Sequence, residues 1–181
     1  MNEALERQVA SDEVLRLIAN SPGELDTVFK TILTKATHIC EATFGNIYLR
    51  DGEVFHLAAA HNTPPALVEE RKRAPLRGRS WNFGRMVQTK QAVHVADLSA
   101  EQSYLERDPD AVSGVELGHI RTILFVPMLK DAELVGAIVI YRQEVRPFWE
   151  RHIELLRGFA IVVPSSPILR IGRRTAESSS G

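Results

Sequence analysis

From Arg121 to Ala160 the chain reads, without interruption, as an apolar strand (R-T-I-L-F-V-P-M-L), a polar tight turn (K-D-A-E), a second apolar strand (L-V-G-A-I-V-I-Y-R) and a helix (P-F-W-E-R-H-I-E-L-L-R-G-F-A). Both strands are apolar at nearly every position, and a strand of that kind needs cover on both faces. The hairpin therefore belongs inside a helix-sheet-helix sandwich. A chain of 181 residues, 44% apolar and 25% charged, supplies one full core of this type, so one domain is expected and no second catalytic domain fits beside it.

Charge and cysteine content narrow the function. With 22 basic against 23 acidic residues interspersed, the formal charge of -1 creates no single-sign field for nucleic acid or anionic lipid. Cys40 is the only cysteine. It excludes an intramolecular disulfide, a multi-cysteine zinc site and an iron-sulfur cluster held by this chain alone, and makes a reducing cytoplasm the expected compartment. The opening M-N-E-A-L-E-R-Q lacks an apolar leader core, and the apolar runs fall short of the ~20 residues that span a bilayer, so no membrane contact by this segment is expected.

Upstream of the hairpin the order of elements is legible. Leu5, Val9, Val14, Leu17 and Ile18 form a loose helical stripe, giving an N-terminal helical segment over 1–20. Ser21-Pro22-Gly23-Glu24 is a capping box, which starts a helix whose buried face is Leu25, Val28, Phe29, Ile32, Ala36, Ile39 and Cys40. Phe44 to Arg50 and Glu53 to Ala60 flank Asp51-Gly52, a hairpin signal for a type I′ turn with positive φ at both central residues. Ala66 to Arg73 reads as a short charged helix and Leu76-Arg77-Gly78-Arg79-Ser80 as loop. Trp81 to Lys90 reads as a helix and Ala92 to Ala96 as a strand. Asp97 to Gly118 is a long polar connection with helices near Ala100 to Arg107 and Ala111 to Leu117.

The words V-P-M-L at Val126 to Leu129 and E-V-R-P-F at Glu144 to Phe148, with A-P-L-R-G-R-S-W-N-F-G-R-M-V-Q-T-K-Q-A-V-H-V-A-D-L between them and the N-terminal helix, resemble a GAF domain of the type found in bacterial sensor histidine kinases and adenylate or guanylate cyclases. The resemblance implies an α+β, GAF-like (profilin-like) antiparallel sheet of five to six strands. The N- and C-terminal helices lie on one face, and small helices and lid loops enclose a ligand cavity on the other. It implies a domain over 21–160, with 161–181 a polar, disordered tail. There Pro164 and Pro167 stop the closing helix, so either the terminus is naturally short or the chain departs there from its parent protein, the second being the expectation.

Catalytic motifs are missing: there is no G-x-S-x-G, H-E-x-x-H, Walker A loop or G-x-G-x-x-G. The free methionine sulfoxide reductases of the GAF family use several cysteines, so a lone Cys40 on an apolar helical stripe reads as a buried structural thiol. Bilin attachment through it is not expected. His38, His56, His61, His94, His119 and His152 form no ligand spacing, and His152 on the closing helix reads as exposed. The Asn-Lys, Phe and Asp-Glu signature of cyclic-nucleotide-binding relatives is absent. Arg77, Arg79 and Arg85 read as solvated loop arginines.

The expectation is thus a non-catalytic sensory module that binds an unknown small molecule and relays a change to an effector kinase or cyclase domain of a parent protein. The resemblance places Trp81, Phe83, His94, Tyr104, His119 and Thr122 around the ligand, in a cavity of roughly 300 Å³ or more. Two apolar rows on the closing helix, Trp149-Ile153-Leu156-Ala160 and Phe148-Leu155-Phe159, exceed the arc that one sheet contact needs. The surplus row points to a homodimer through the terminal helices or to packing on the chain's own N-terminal helix. A ligand-free dimerisation and relay module is the alternative.

Overall fold

Residues 25–79 and 81–162 are described by the structure, a computed structural model. The expected helix over 1–20, the capping box at Ser21 and the tail from Pro164 onward lie outside the described residues. Six strands form one antiparallel sheet in the order β3-β2-β1-β6-β5-β4. They are β1 (Phe44–Asp51), β2 (Val54–His61), β3 (Leu76–Arg77), β4 (Val93–Val95), β5 (Thr122–Lys130) and β6 (Glu133–Arg142). The helices are α1 (Leu25–Ile39), α2 (Pro65–Arg73), α3 (Trp81–Thr89), α4 (Gln102–Leu105), α5 (Pro109–Gly118) and α6 (Glu150–Val162), with a 3₁₀ turn at Leu98–Ala100. Leu76–Arg77, which reads as loop in the sequence, is a short edge strand against Phe55 and Val54.

The apolar runs serve two cores at once, because successive side chains of a strand point to opposite faces. Ile47, Leu124, Val126, Met128, Ile138 and Ile140 pack under α1 and α6 with Phe29, Leu33 and Leu156. Their neighbours Tyr48, Ile123, Phe125, Ala137, Val139 and Tyr141 face α2, α3 and α5 on the other side. The terminal helices thus share one face and the small helices the other. On α1 the buried stripe is Val28, Phe29, Ile32, Leu33 and Ala36, continued by Cys40 just past its end, whereas Ile39 is 43% exposed, one step off the face that the sheet covers. α6 starts at Glu150, because Pro147 and the loop before it are tied down elsewhere, and runs to Val162. On it Leu156 and Ala160 are buried; just before it Phe148 is buried and Trp149 exposed.

Both hairpin turns depart from simple sequence rules. Asp51 pairs with Val54, so the first turn is Gly52-Glu53 and Asp51 is the last strand residue. Only Gly52 of that turn has positive φ, at 64°, so a glycine holds the first central position instead of the second. In the second hairpin Asp131 and Ala132 both carry positive φ, 52° and 66°, as a type I′ turn requires, although Ala132 is a residue ill suited to it. At Gly136 a Cβ would lie 2.3 Å from the Tyr48 carbonyl oxygen and 2.6 Å from the Met128 methyl, so β1 and β6 approach each other only because that position is bare.

These two positions give opposite expectations. Ala132→Gly relieves the left-handed backbone and should stabilise the domain by about 0.5–1 kcal/mol. Gly136→Ala drives a methyl into a backbone oxygen and should cost about 3 kcal/mol. Urea unfolding of the two variants against wild type checks both signs.

Candidate functional site

Beneath the small helices lies a partly open chamber of about 40 Å³, walled by the small helices on one side and by the sheet on the other. β1 sends Asn46 and Tyr48 to this face by its period of two, and α2 sends Leu67 and Arg71 by its i, i+4 spacing. α3 adds Asn82 and Phe83, and α5 adds Ala111 and Gly114. α5 can lie close over α2 because Gly118 is bare: a Cβ there would meet the Leu67 methyl at 2.6 Å.

Arg71 is the unusual wall residue, since it is only 6% exposed. Its Nη1 donates to Ser113 Oγ at 2.6 Å and its Nη2 to the Asp110 carbonyl at 3.0 Å. Its Nε is buried with no acceptor in the protein. A buried donor left unpaired costs roughly 1–3 kcal/mol, and the nearest polar neighbour of this guanidinium besides Ser113 and Asp110 is the Tyr48 hydroxyl. Beside it Asn46 Nδ2 donates to the Tyr48 hydroxyl at 3.3 Å, and Thr63 Oγ1 donates to Asn46 Oδ1 at 2.7 Å. Burial raises the Tyr48 pKa and the Arg71 cation opposes that rise, so the hydroxyl stays protonated. Asn82 is held by Ser103 Oγ, which donates to its Oδ1 at 2.8 Å, and donates in turn to Glu101 at 3.0 Å.

Phe83 accounts for the small volume. Its ring meets those of Phe55, Phe125 and Tyr48 edge-on at 4.8, 6.0 and 6.1 Å. Aromatic edge contacts of this sort fill space that a larger ligand would need. The chamber falls far below the 300 Å³ expected from the family layout. A wider open hollow of about 280 Å³ lies on the opposite face, between α6 and β5 at Arg157, Ala160 and Val126.

Of the five residues placed around the ligand by the sequence whose side chains are described, Phe83 alone borders the chamber. The side chain of Trp81 lies outside what the structure describes. His94 instead accepts from the Phe148 amide at 3.0 Å. Thr122 donates to the Ala96 carbonyl at 2.6 Å and accepts from the Arg146 amide at 2.9 Å. His119 caps α5 in the left-handed region, φ 56°. Tyr104 sits under the Arg107 guanidinium, 5.6 Å from its ring centre. Four of the six thus serve caps and loop contacts. Arg71 and Tyr48 escape a sequence reading. The E-E-R-K-R run looks solvated throughout, and only the i, i+4 phase of Arg71 with Leu67 marks it as inward.

The remaining candidates resolve simply. His152, read as exposed, is 2% exposed. Cys40 is in the core, its thiol donating to the His152 carbonyl at 3.4 Å, and burial pushes it up to about 11. Arg77, Arg79 and Arg85 are exposed. Arg121 grips Asp97 with two bonds of 2.9 Å, which hold that carboxyl well below the usual range, and Asp97 also caps the 3₁₀ turn through Ser99. Among the described residues no cluster of three or more His, Cys, Asp or Glu could hold a metal, and no helix is long and apolar enough to cross a membrane.

The family model described as GAF domain matches residues 23–161. The chain belongs to the GAF family. Its fold neighbours include the GAF domain of an Acinetobacter phosphoenolpyruvate-protein phosphotransferase, with 15% identity, a TM-score of 0.68, and 95% of this chain and 98% of that one covered. A domain assigned to a two-component sensor histidine kinase of Sinorhizobium meliloti 1021 has 18% identity and a TM-score of 0.59 over 86% of this chain and 96% of that one. The type II free methionine-R-sulfoxide reductase of Thermoplasma acidophilum has 13% identity and a TM-score of 0.60 over 80% and 92%. At these identities the likeness is one of fold. Among curated proteins no sequence matches this GAF domain.

Phe83→Ala should enlarge the chamber and destabilise the domain by about 3–5 kcal/mol. Thermal unfolding of the variant with and without an apolar filler such as benzene checks it. Partial rescue by the filler would place the new void under the lid.

Proposed function

We propose that this GAF domain is a non-catalytic sensory module of a larger signalling protein. Its ligand is a molecule of a few heavy atoms bearing an acceptor oxygen, taken up beside Arg71. The single observation that supports this is the buried Arg71 guanidinium, whose Nε makes no hydrogen bond among the described residues although Nη1 and Nη2 are both engaged. A guanidinium already fixed by Ser113 and Asp110 is pre-organised for one more bond, so little rotamer entropy is lost when an acceptor arrives. Occupancy would favour one packing of α2 on α5, and the sheet would pass the bias to α1 and α6, whose ends lead to any neighbouring domain. The histidine kinase neighbour is consistent with an effector kinase in a cytoplasmic parent, paired as a homodimer through the terminal helices. The lone buried Cys40, with its raised pKa, fits a domain without redox chemistry of its own.

The chamber volume of about 40 Å³ favours the second reading, a ligand-free relay module with only water at Arg71. Native mass spectrometry of the purified protein separates the two. Under the ligand reading wild type carries a small adduct that Arg71→Met loses while keeping its folded charge-state distribution. Bare mass in both proteins, at every cone voltage, would leave the relay reading standing.

A further inference from the structure

The loop between β6 and α6 is held by side chains that accept from its backbone amides, and two of those acceptors are imidazoles. Arg146 N donates to Thr122 Oγ1 at 2.9 Å, Pro147 has no amide hydrogen, Phe148 N donates to His94 Nε2 at 3.0 Å, and Trp149 N donates to His152 Nδ1 at 3.0 Å. An amide can only donate, so both accepting nitrogens must be unprotonated. That settles the tautomers: His94 carries its proton on Nδ1, and His152 carries its proton on Nε2, which donates to Glu41 Oε2 at 3.0 Å. His152 is the third residue of α6 after its Trp149 cap and reaches back to the cap amide. There it takes the place that glutamate or glutamine holds in a capping box.

We propose that His94 and His152 form an acid-sensitive clasp on the first turn of α6, and that protonating them releases this end of the closing helix from the sheet and from α1. Protonation would place an N–H against an N–H at both contacts. It would also put two positive charges at a helix N-terminus, where the macrodipole already disfavours them.

The surrounding charges sharpen the switch. Arg142 from β6 is 4% exposed and lies 4.0 Å from the centre of the Phe148 ring, which itself neighbours both imidazoles. Burial, and then the Arg142 cation, lower the pKa of His94, and Glu150 of α6 opposes this. Burial lowers that of His152 as well, with Arg142 and Arg151 adding to the effect, while Glu41 at the end of α1 opposes it by hydrogen bond and charge. Arg146 of the loop pairs with Glu144 at 3.3 Å, and the Cys40 thiol touches His152 only at its carbonyl. Both imidazoles therefore fall below their ordinary value of 6.5. The stability they contribute is fully present above that pH and is lost as pH falls towards the depressed values.

Trp149 reports on the clasp directly. Its ring stacks on His152 at 5.6 Å and 14°, and the chain has one other tryptophan, Trp81. The experiment is amide hydrogen exchange on the full chain at about pH 7.5 and about pH 5, with Trp149 emission followed in a Trp81→Phe background. Protection factors at Phe148 and Trp149 should fall by about tenfold or more, those at Leu124 and Ile138 should hold, and the emission should change over the same pH range. In the double variant His94→Gln, His152→Gln each amide oxygen accepts as before but does not titrate, so protection should become independent of pH. Unchanged protection in wild type, or the same loss in the double glutamine variant, overturns the proposal. Should that variant not fold, nitrogen-15 spectra of the wild-type imidazoles decide. The expected result is neutral Nε2–H at His152 and Nδ1–H at His94, with midpoints below 6.5. The other tautomers, or midpoints at or above 6.5, sink the clasp.

Discussion

A single buried guanidinium, Arg142, holds the helix face together. It donates from Nε to the Glu41 carbonyl at 3.0 Å, from Nη2 to the Cys40 carbonyl at 3.1 Å, and from Nη1 to the carbonyls of Arg146 and of Pro147, the latter at 3.2 Å. Two of these carbonyls close the C-terminal end of α1, where orphan acceptors and the negative end of the dipole favour a cation. The other two belong to the loop that enters α6. Burying a charge is costly unless its donors are all engaged, and here the ring of Phe148 adds a further attractive face. One side chain at the end of a central strand thus sets where α1 stops, where α6 starts and how far apart they lie. The histidine contacts at Phe148 and Trp149 depend on that placement.

The lid face is organised differently, by an aromatic hub in place of a charge. Phe83 touches rings from β1, β2 and β5, so α3 is seated by edge-on contacts and not by directional bonds. Around this packed centre Asn46, Tyr48 and Thr63 bond to one another and Ser113 accepts from Arg71 Nη1, while Arg71 Nε is left over. The same density that stabilises the lid limits what can enter it. The Tyr141 hydroxyl is likewise buried, with Thr63 as its polar neighbour and its ring stacked on Phe44 at 5.0 Å.

Chain order, five of the six strands and the two-faced burial of the sheet were legible in the residues alone, whereas the two-residue edge strand Leu76–Arg77 read as loop. Strands apolar at every position demand two cores, and periodicities of 2 and 3.6 are local properties that survive without tertiary information. The words around Val126 and Glu144 added the family. Boundaries shifted by one to three residues, as at Asp51 and at the start of α6, because the bond that ends an element comes from elsewhere in the chain.

The contents of the chamber and the roles of the polar residues were decided only by the tertiary structure. Nothing in the sequence marks Arg71 or Arg142 as buried, since neither a run of basic residues nor a strand-ending arginine carries such a sign. His94, Thr122 and His119 lie near the lid connection in the chain, yet their partners are backbone groups that only the folded loop presents. A residue's neighbours in sequence establish its periodicity. Whether an imidazole lines a pocket or accepts an amide depends on groups some fifty residues away, as His94 and Phe148 show with a separation of 54, and no local pattern encodes that distance.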